Sequence, residues 1–282
     1  MNTPADVAAA GQLACLLEVS APKPGNVSPE RHFHDTRYED FLASAIAIGP
    51  ALMDAGSHPL GAIVRRAVED TRRWTKSNTN LGIVLLLAPL AKAALIHGGA
   101  LRQRLTRVLA DTTVYDAEEV YAAIRRAHPG GLGEAAAEDV SNPPSVSLRD
   151  AMALAAERDA IAREYVTEFA LTFDVGVPAL RAALHEGLSW GDASIDAYLR
   201  LLDATPDTHI GRKLGATEAE AVSVRAREVL KAGGTRTAAG RTALAQLDSE
   251  LRDPRNRRNP GATADLTCAA IFVVILEGGW DR

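Results

Sequence analysis

The sequence predicts an all-α fold, a single large domain over residues 1–282 with roughly a dozen helices. Three observations predict it. Alanine, leucine, glutamate and arginine dominate nearly every segment, and aromatic residues are only 5%, so the composition favours helices over sheets. Strict apolar–polar alternation and Asn-Gly or Asp-Gly hairpin turns are missing. Helix-start signals, by contrast, recur along the chain.

Taken in order, "MNTPADVAAAGQLACLLEV" holds Asp6 and Glu18 and lacks the basic start of a secretory leader, so it reads as a first helix. Residues 21–35, "APKPGNVSPERHFHD", contain three prolines and one glycine and are expected to be irregular. The most apolar stretch, residues 81–96, is shorter than the ~20 residues of a membrane span and is interrupted by Pro89 and Lys92. A buried core helix is expected there. Asp116 with Glu119, Ser147 with Asp150, and Thr217 with Glu220 fit the capping-box spacing and mark helix starts. Residues 129–147 are expected to be a long loop. The longest helix is expected over residues 148–172, where Leu148, Met152, Ala155, Ile161, Tyr165 and Phe169 supply an apolar stripe. The β-branched runs "IVLLL" and "IFVVIL" have alanine-rich flanks and are expected to be buried helices.

A net charge of -5 favours neither nucleic acid nor an anionic membrane as partner. Cys15 and Cys268 lie far apart in apolar stretches and make no disulfide framework, which suits a reducing, cytoplasmic setting. No repeat of 20–50 residues divides the chain. A homodimer is compatible with the sequence.

The irregular stretches concentrate polar chemistry: residues 21–35, 75–82, 128–140, 206–215 and 252–265. Three of them lead into helices expected at about Thr79, Thr217 and Thr263, whose exposed amides and partial positive charge suit phosphates. Glycines in such loops let backbone approach a ligand closely. Lys23, Lys76, Arg212, Lys213 and Arg255 can add charge, and Lys23 is expected to be exposed and flexible. Asp35, Asp207 and Asp265 are hard oxygen ligands of the kind Mg²⁺ takes when it bridges to a polyphosphate. Each has a bland alternative: Asp265 as a first-turn acid favoured by the helix dipole, and the arginines of 252–258 as a solvated loop. His32 and His34 lack a third ligand at helical spacing. Gly130, Gly131 and Gly133 precede no Gly-Lys-Ser/Thr and make no Walker loop. The convergence of the loops, rather than any one of them, points to a phosphate-rich ligand.

In this order, the loops resemble the triphosphoribosyl-dephospho-CoA synthase family, from about Leu13 to about Leu276. "EVSAPKPGNVSP" with "HFHD" is similar to the family's glutamate, Pro-Lys-Pro-Gly and His-x-Asp. "SNTNLG", "PDTHIGRKLG" and "NPGATADL" are similar to its Asn-Thr loop, its Asp-Thr and Arg stretch, and its Pro-Gly-x-x-Ala-Asp-Leu stretch. The resemblance implies an all-helical enzyme that converts ATP and 3′-dephospho-CoA, or a related phosphorylated cofactor precursor, into a triphosphoribosyl product and free adenine. It implies Mg²⁺ with the ATP. Carried over motif by motif, Glu18, His34 and Asp35 become catalytic candidates. Lys23, Gly25, Asn26, Asn78, Thr79, Arg212, Lys213 and Gly261 become substrate-binding candidates, and Asp35, Asp207 and Asp265 metal candidates.

Two loops depart from the family pattern. Asn26, Val27 and Ser28 follow Pro-Lys-Pro-Gly where Leu-Val-Asp is usual, and Asn80, Leu81 and Gly82 stand where His-Lys-Gly is usual. These departures leave room for another acceptor, such as an intermediate of one-carbon pterin cofactor assembly. A second enzyme class is a Mg²⁺-dependent nucleotide hydrolase, with acidic pairs such as Glu157 and Asp159 with Glu164 on facing helices. A third alternative is a non-catalytic helical scaffold, which would leave the polar loops unexplained.

Overall fold

A computed structural model describes residues 3–130, 133 and 135–280. Gly131 of the glycine stretch therefore lies outside the described residues. Helices α1 (Pro4–Ser20), α2 (Tyr38–Ala47), α3 (Gly49–Met53), α4 (Leu60–Thr71) and α5 (Leu81–Ala94) form the first third of the chain. Helices α6 (Leu101–Ala110), α7 (Val114–Ala127), α8 (Leu148–Ala155), α9 (Ala160–Thr167) and α10 (Val177–His185) follow. The series ends with α11 (Trp190–Ala204), α12 (Thr208–Leu214), α13 (Ala216–Lys231), α14 (Ala238–Leu251) and α15 (Gly261–Leu276). Among the described residues no strand forms, and Ser28 and Arg31 make one isolated antiparallel bridge.

Helix α15 is the axis of the fold. It is apolar on nearly every face, and a helix of that kind is stable only when surrounded. Helices α1, α5, α10 and α11 pack around it. Helix α5, the expected core helix, is buried almost throughout and carries Pro89 in its interior. A proline there removes the amide that would bond the carbonyl four residues back. That carbonyl, on Leu85, accepts the Tyr165 hydroxyl instead at 2.6 Å. Helix α11 joins two apolar clusters. Its Ala193, Ala197 and Leu201 belong to the main core, and its Ile195, Tyr198, Leu199 and Leu202 to a smaller one formed with α13 and α14. Cys15 and Cys268 are free, buried thiols whose sulfurs lie 3.8 Å apart between α1 and α15.

Several expected helix starts move. Ser147 caps α8 as its spacing implies, accepting the Asp150 amide. Helix α7 instead begins one turn before Asp116: Thr113 is its cap, and Asp116 returns bonds to the Thr113 amide and hydroxyl at 2.8 and 2.9 Å. Helix α13 begins at Ala216 after Gly215, whose φ of 95° favours glycine, so Thr217 is helical rather than capping. The starts expected near Thr79 and Thr263 fall at Leu81 and Gly261.

The expected long helix over 148–172 is broken twice. Asp159 caps α9, accepting the Ile161 and Ala162 amides at 2.8 and 3.1 Å, which ends α8 at Ala155. Beyond α9, Glu168 and Phe169 take positive φ, and a π-helical turn spans Leu171–Gly176. The buried Glu164 carboxylate fixes this bend by accepting the Leu171 amide and the Thr172 amide and hydroxyl at 2.6–3.0 Å. Apolar periodicity is the same on either side of such breaks, so the stripe alone predicts one helix.

Candidate active site

The proline-rich stretch after α1 is a wall rather than a connector. The Tyr198 hydroxyl donates to the Pro24 carbonyl at 2.8 Å, and Asn26 Nδ2 donates to the same hydroxyl at 3.2 Å. The Gly25 amide donates to Asp248 at 2.8 Å, and Arg252 donates to the Asn26 carbonyl at 2.9 Å. Gly25 sits at φ 76°, with a Cβ only 2.9 Å from that of Leu251 if one were added. Glycine is required there on both counts.

This wall borders a cleft of about 270 Å³. The C-terminal turn of α1 contributes Glu18, and the loop into α5 contributes Asn78, Thr79 and Asn80. The start of α15 contributes Asn259, Gly261 and Asp265, α12 contributes His209 and Arg212, and the α8–α9 turn contributes Arg158 and Asp159. Beyond these, an apolar arm runs between α7 and α8.

Charge inside the cleft is unevenly satisfied. Glu18 Oε1 is paired with Lys23 Nζ at 2.9 Å, and both residues are buried. Lys23 also donates to the Glu18 and Ala21 carbonyls. Lys23 is thus a buried partner of Glu18 rather than the exposed, flexible cation expected, because the turn after α1 folds its stem inward. Asp265, on the first turns of α15, accepts no hydrogen bond from any described residue. Burial pushes its carboxyl well above the usual carboxylate range, and Glu18, Asp207 and Asp159 push the same way. Arg212 crosses the cleft to pair with Asp159, while its Nε is buried without a partner. Asn259 Oδ1 is likewise buried and unpartnered. Orphaned polar atoms of this kind are rare, and they mark where a polar ligand would complete the wall. Burial pushes His209 down to about 3, with Lys213 and Arg212 adding to the effect, so its ring is neutral at physiological pH.

The remaining candidates take other positions. Asp207 caps α12 and staples it to α15. Its Oδ1 accepts the His209 and Ile210 amides at 2.8 and 3.0 Å, and its Oδ2 accepts the Thr263 amide and hydroxyl at 2.8 and 2.7 Å. Asn78 accepts the Leu81 amide at 3.1 Å and so starts α5, and Thr79 meets Ser44 at 2.6 Å. His34 and Asp35 are exposed beside the cleft, 3.8 Å apart, with Asn256 at 3.1 Å from His34. Lys213 reaches the Asn256 carbonyl at 3.5 Å. Among the described residues no three His, Cys, Asp or Glu side chains gather as a ready-made metal site. The facing-acid arrangement of a hydrolase does not form: Glu157 is exposed and Glu164 is spent on the helix bend.

Three cleft residues escaped the sequence reading: Arg158, His209 and Asn259. Asp159, expected in the acidic set of a hydrolase or on a solvated helix face, instead caps α9 and pairs with Arg212 in the cleft. The signal for Asp159 was present, since an aspartate two and three residues before free amides is a capping pattern.

An all-α chain with an acidic, arginine-crossed cleft over orphaned polar atoms has the form of a helical small-molecule-binding protein. Over residues 4–282 it matches the family described as ATP:dephospho-CoA triphosphoribosyl transferase, and it belongs to that family. A Pseudomonas fluorescens protein named "Probable 2-(5''-triphosphoribosyl)-3'-dephosphocoenzyme-A synthase" is 32% identical over 111 residues, 39% of this chain and 38% of that protein. The 2-(5''-triphosphoribosyl)-3'-dephosphocoenzyme-A synthase of Klebsiella pneumoniae is 33% identical over 104 residues, 37% of this chain and 36% of that protein. The chain therefore spans well under half the length of the curated relatives it matches. The crystal structure of an Archaeoglobus fulgidus protein described as "putative triphosphoribosyl-dephospho-coA synthase" superposes with a TM-score of 0.66 at 28% identity. That match covers 84% of this chain and 99% of the other.

Proposed function

We propose that the protein transfers the 5-triphosphoribosyl group of ATP to 3′-dephospho-CoA, releasing adenine. The observation that carries the reading is the gathering of opposites in one cleft: Glu18 and the Asp265 carboxyl, which accepts no hydrogen bond from any described residue, together with Arg212 and the N-terminal turns of α5 and α15. Breaking the N-glycosidic bond builds positive charge on the ribose, which carboxylates stabilise, while the intact triphosphate needs cations and amides. The acceptor 2′-oxygen attacks C1′ of the donor ribose, Glu18 takes the hydroxyl proton, and the C1′–N9 bond breaks with its electron pair on N9, which takes up a proton from water so that adenine departs neutral. Lys23 orients Glu18 for this role. Arg212 and the N-terminal turn of α5 hold the phosphates.

Mg²⁺ fits one part of the cleft. Asp265 is an oxygen ligand with no competing donor, and sites for Mg-triphosphate use only one or two protein carboxylates. Bound there, the ion would neutralise charge on the triphosphate, and Asp265 would lose its proton as the ion arrives. Asp207 fits less well, because four hydrogen bonds already engage its oxygens. The hydrolase and pterin alternatives have no such support, since the family match favours ribosyl transfer.

The test is incubation with ATP, Mg²⁺ and dephospho-CoA followed by mass spectrometry. Free adenine together with an acceptor bearing an intact triphosphoribosyl group is expected. ADP or AMP without adenine would overturn the reading.

A further inference from the structure

The cleft has a second arm that the donor chemistry does not use. Helices α7 and α8 face each other across it, and its walls are Val120, Ile124, Leu148, Ala151, Met152 and Ala155. The polar groups nearby are consumed internally. The Tyr121 hydroxyl donates to the Glu138 carbonyl at 2.6 Å, and the Glu138 carboxylate takes the Ser145 amide and hydroxyl at 2.9 and 2.5 Å. The Asp139 carboxylate takes the Ala135 and Ser141 amides at 2.7 and 2.9 Å. A nucleobase needs free donors and acceptors to be recognised by its edge, and among the described residues the Tyr121, Glu138 and Asp139 side chains are all engaged. It suits a flexible, largely aliphatic chain, which gains from burial alone. Arg158, an exposed residue of the α8–α9 turn, also lines the cleft, and its guanidinium makes no hydrogen bond or ion pair with any described residue.

An unpaired guanidinium in one cleft with an apolar arm describes a ligand with a phosphate group followed by an aliphatic tail. On the transferase reading above, one of the two substrates has that form. We propose that the α7–α8 arm is the acceptor subsite, holding the pantetheine tail of dephospho-CoA, with Arg158 on its diphosphate. Donor and acceptor would then lie in the two arms and meet at Glu18 and Asp265. The arm would make tail length and polarity the basis of acceptor choice, independently of the loops that face the ATP.

Ala155→Trp fills the arm from a partly exposed position. KM for dephospho-CoA should rise about 10-fold or more, with KM for ATP within about twofold of wild type. Arg158→Ala should also raise the acceptor KM alone. In the wild-type protein, 4′-phosphopantetheine should inhibit competitively against dephospho-CoA and not against ATP. A rise in the ATP KM alone would place donor adenine in the arm and overturn the proposal, as would unchanged constants or equal rises for both substrates. If Ala155→Trp misfolds by circular dichroism, Ala155→Leu and the inhibition pattern decide. If the wild-type protein releases no adenine, the transferase reading fails by itself. Calorimetry of 4′-phosphopantetheine binding to wild type and Ala155→Trp then reads the arm directly. Equal binding, or none, would overturn the subsite.

Discussion

The carboxylate of Asp265 lies against the bare Cα of Gly82: a methyl group added at Gly82 would collide with Oδ2. The second residue of α5 thereby lets an acid from α15 reach the amide end of another helix. Position 82 is set by the neighbour, not by backbone conformation, since Gly82 is helical.

Gly82→Ala should therefore displace Asp265 while leaving α5 intact, because alanine is the better helix former by about 1 kcal/mol. Adenine release should fall about 100-fold, the usual effect of a misplacement of roughly 1 Å in a reacting site. Circular dichroism and thermal melts check the fold, and the adenine assay checks the rate. Full activity in the variant would mean that the position of Asp265 is unimportant.

Lys23→Met should destabilise the protein by about 3–5 kcal/mol, because it leaves Glu18 charged and unpaired in a buried site. The double variant Lys23→Met with Glu18→Gln should recover much of that loss, since no lone charge remains. Urea denaturation of the wild type, both single variants and the double variant reads the coupling. Additive losses would show that the pair does not act as a unit.

These two residues also mark what the sequence reveals. Pro-Lys-Pro-Gly announces a rigid turn, and the loop is indeed the cleft wall. Nothing in the order of residues says whether a lysine there points out or folds back onto a glutamate five residues earlier. The core helices α5 and α15 are legible from apolar runs alone, since a helix with no polar face has only one place to go. The breaks at Asp159 and Glu164 are not, because each depends on a side chain bonding backbone amides that a continuous helix would also supply. Asp207 shows the same ambiguity: a hard oxygen ligand and a staple between two helices read alike until Thr263 is placed beside it.

The pH dependence of stability should carry two opposing slopes. His209 is neutral in the folded protein with its pKa pushed down to about 3, whereas the unfolded chain takes up a proton near 6.5. The unfolded state then binds more protons between those values. Stability falls as pH drops through that window, by up to about 1.4 kcal/mol per pH unit. Asp265 is raised, so below its folded pKa the native state holds the extra proton, and stability falls as pH rises above the usual carboxylate range. Thermal melts from pH 4 to 8 should show His209→Asn flattening the acid limb. Asp265→Asn should raise the melting temperature at neutral pH by about 2–4 °C. The same acid limb in wild type and His209→Asn would refute the assignment to His209.

Arg212→Gln should raise KM for ATP about 10- to 100-fold, since a charge-assisted phosphate contact is lost. It also frees Asp159 from its ion pair. Helix α9 should survive, because Asp159 caps it through Oδ1 and meets Arg212 through Oδ2. Steady-state kinetics at varied ATP, with dephospho-CoA saturating, measures the effect, and an unchanged KM would remove Arg212 from the phosphate site.

Helices α1 and α15 lie side by side, so the cleft draws Glu18 and Asp265 together across a long stretch of chain. The two residues are 247 positions apart (265 − 18). At ribosomal speeds of about 5–20 residues per second, the first waits roughly 12–50 s for the second to be made. Throughout that interval the apolar face of α1 has no α15 to cover it, and the face of α5 joins it once residues 81–94 are made. Removing part of α15 should therefore yield aggregation rather than a slower enzyme, because the apolar faces packed around that helix would stay uncovered.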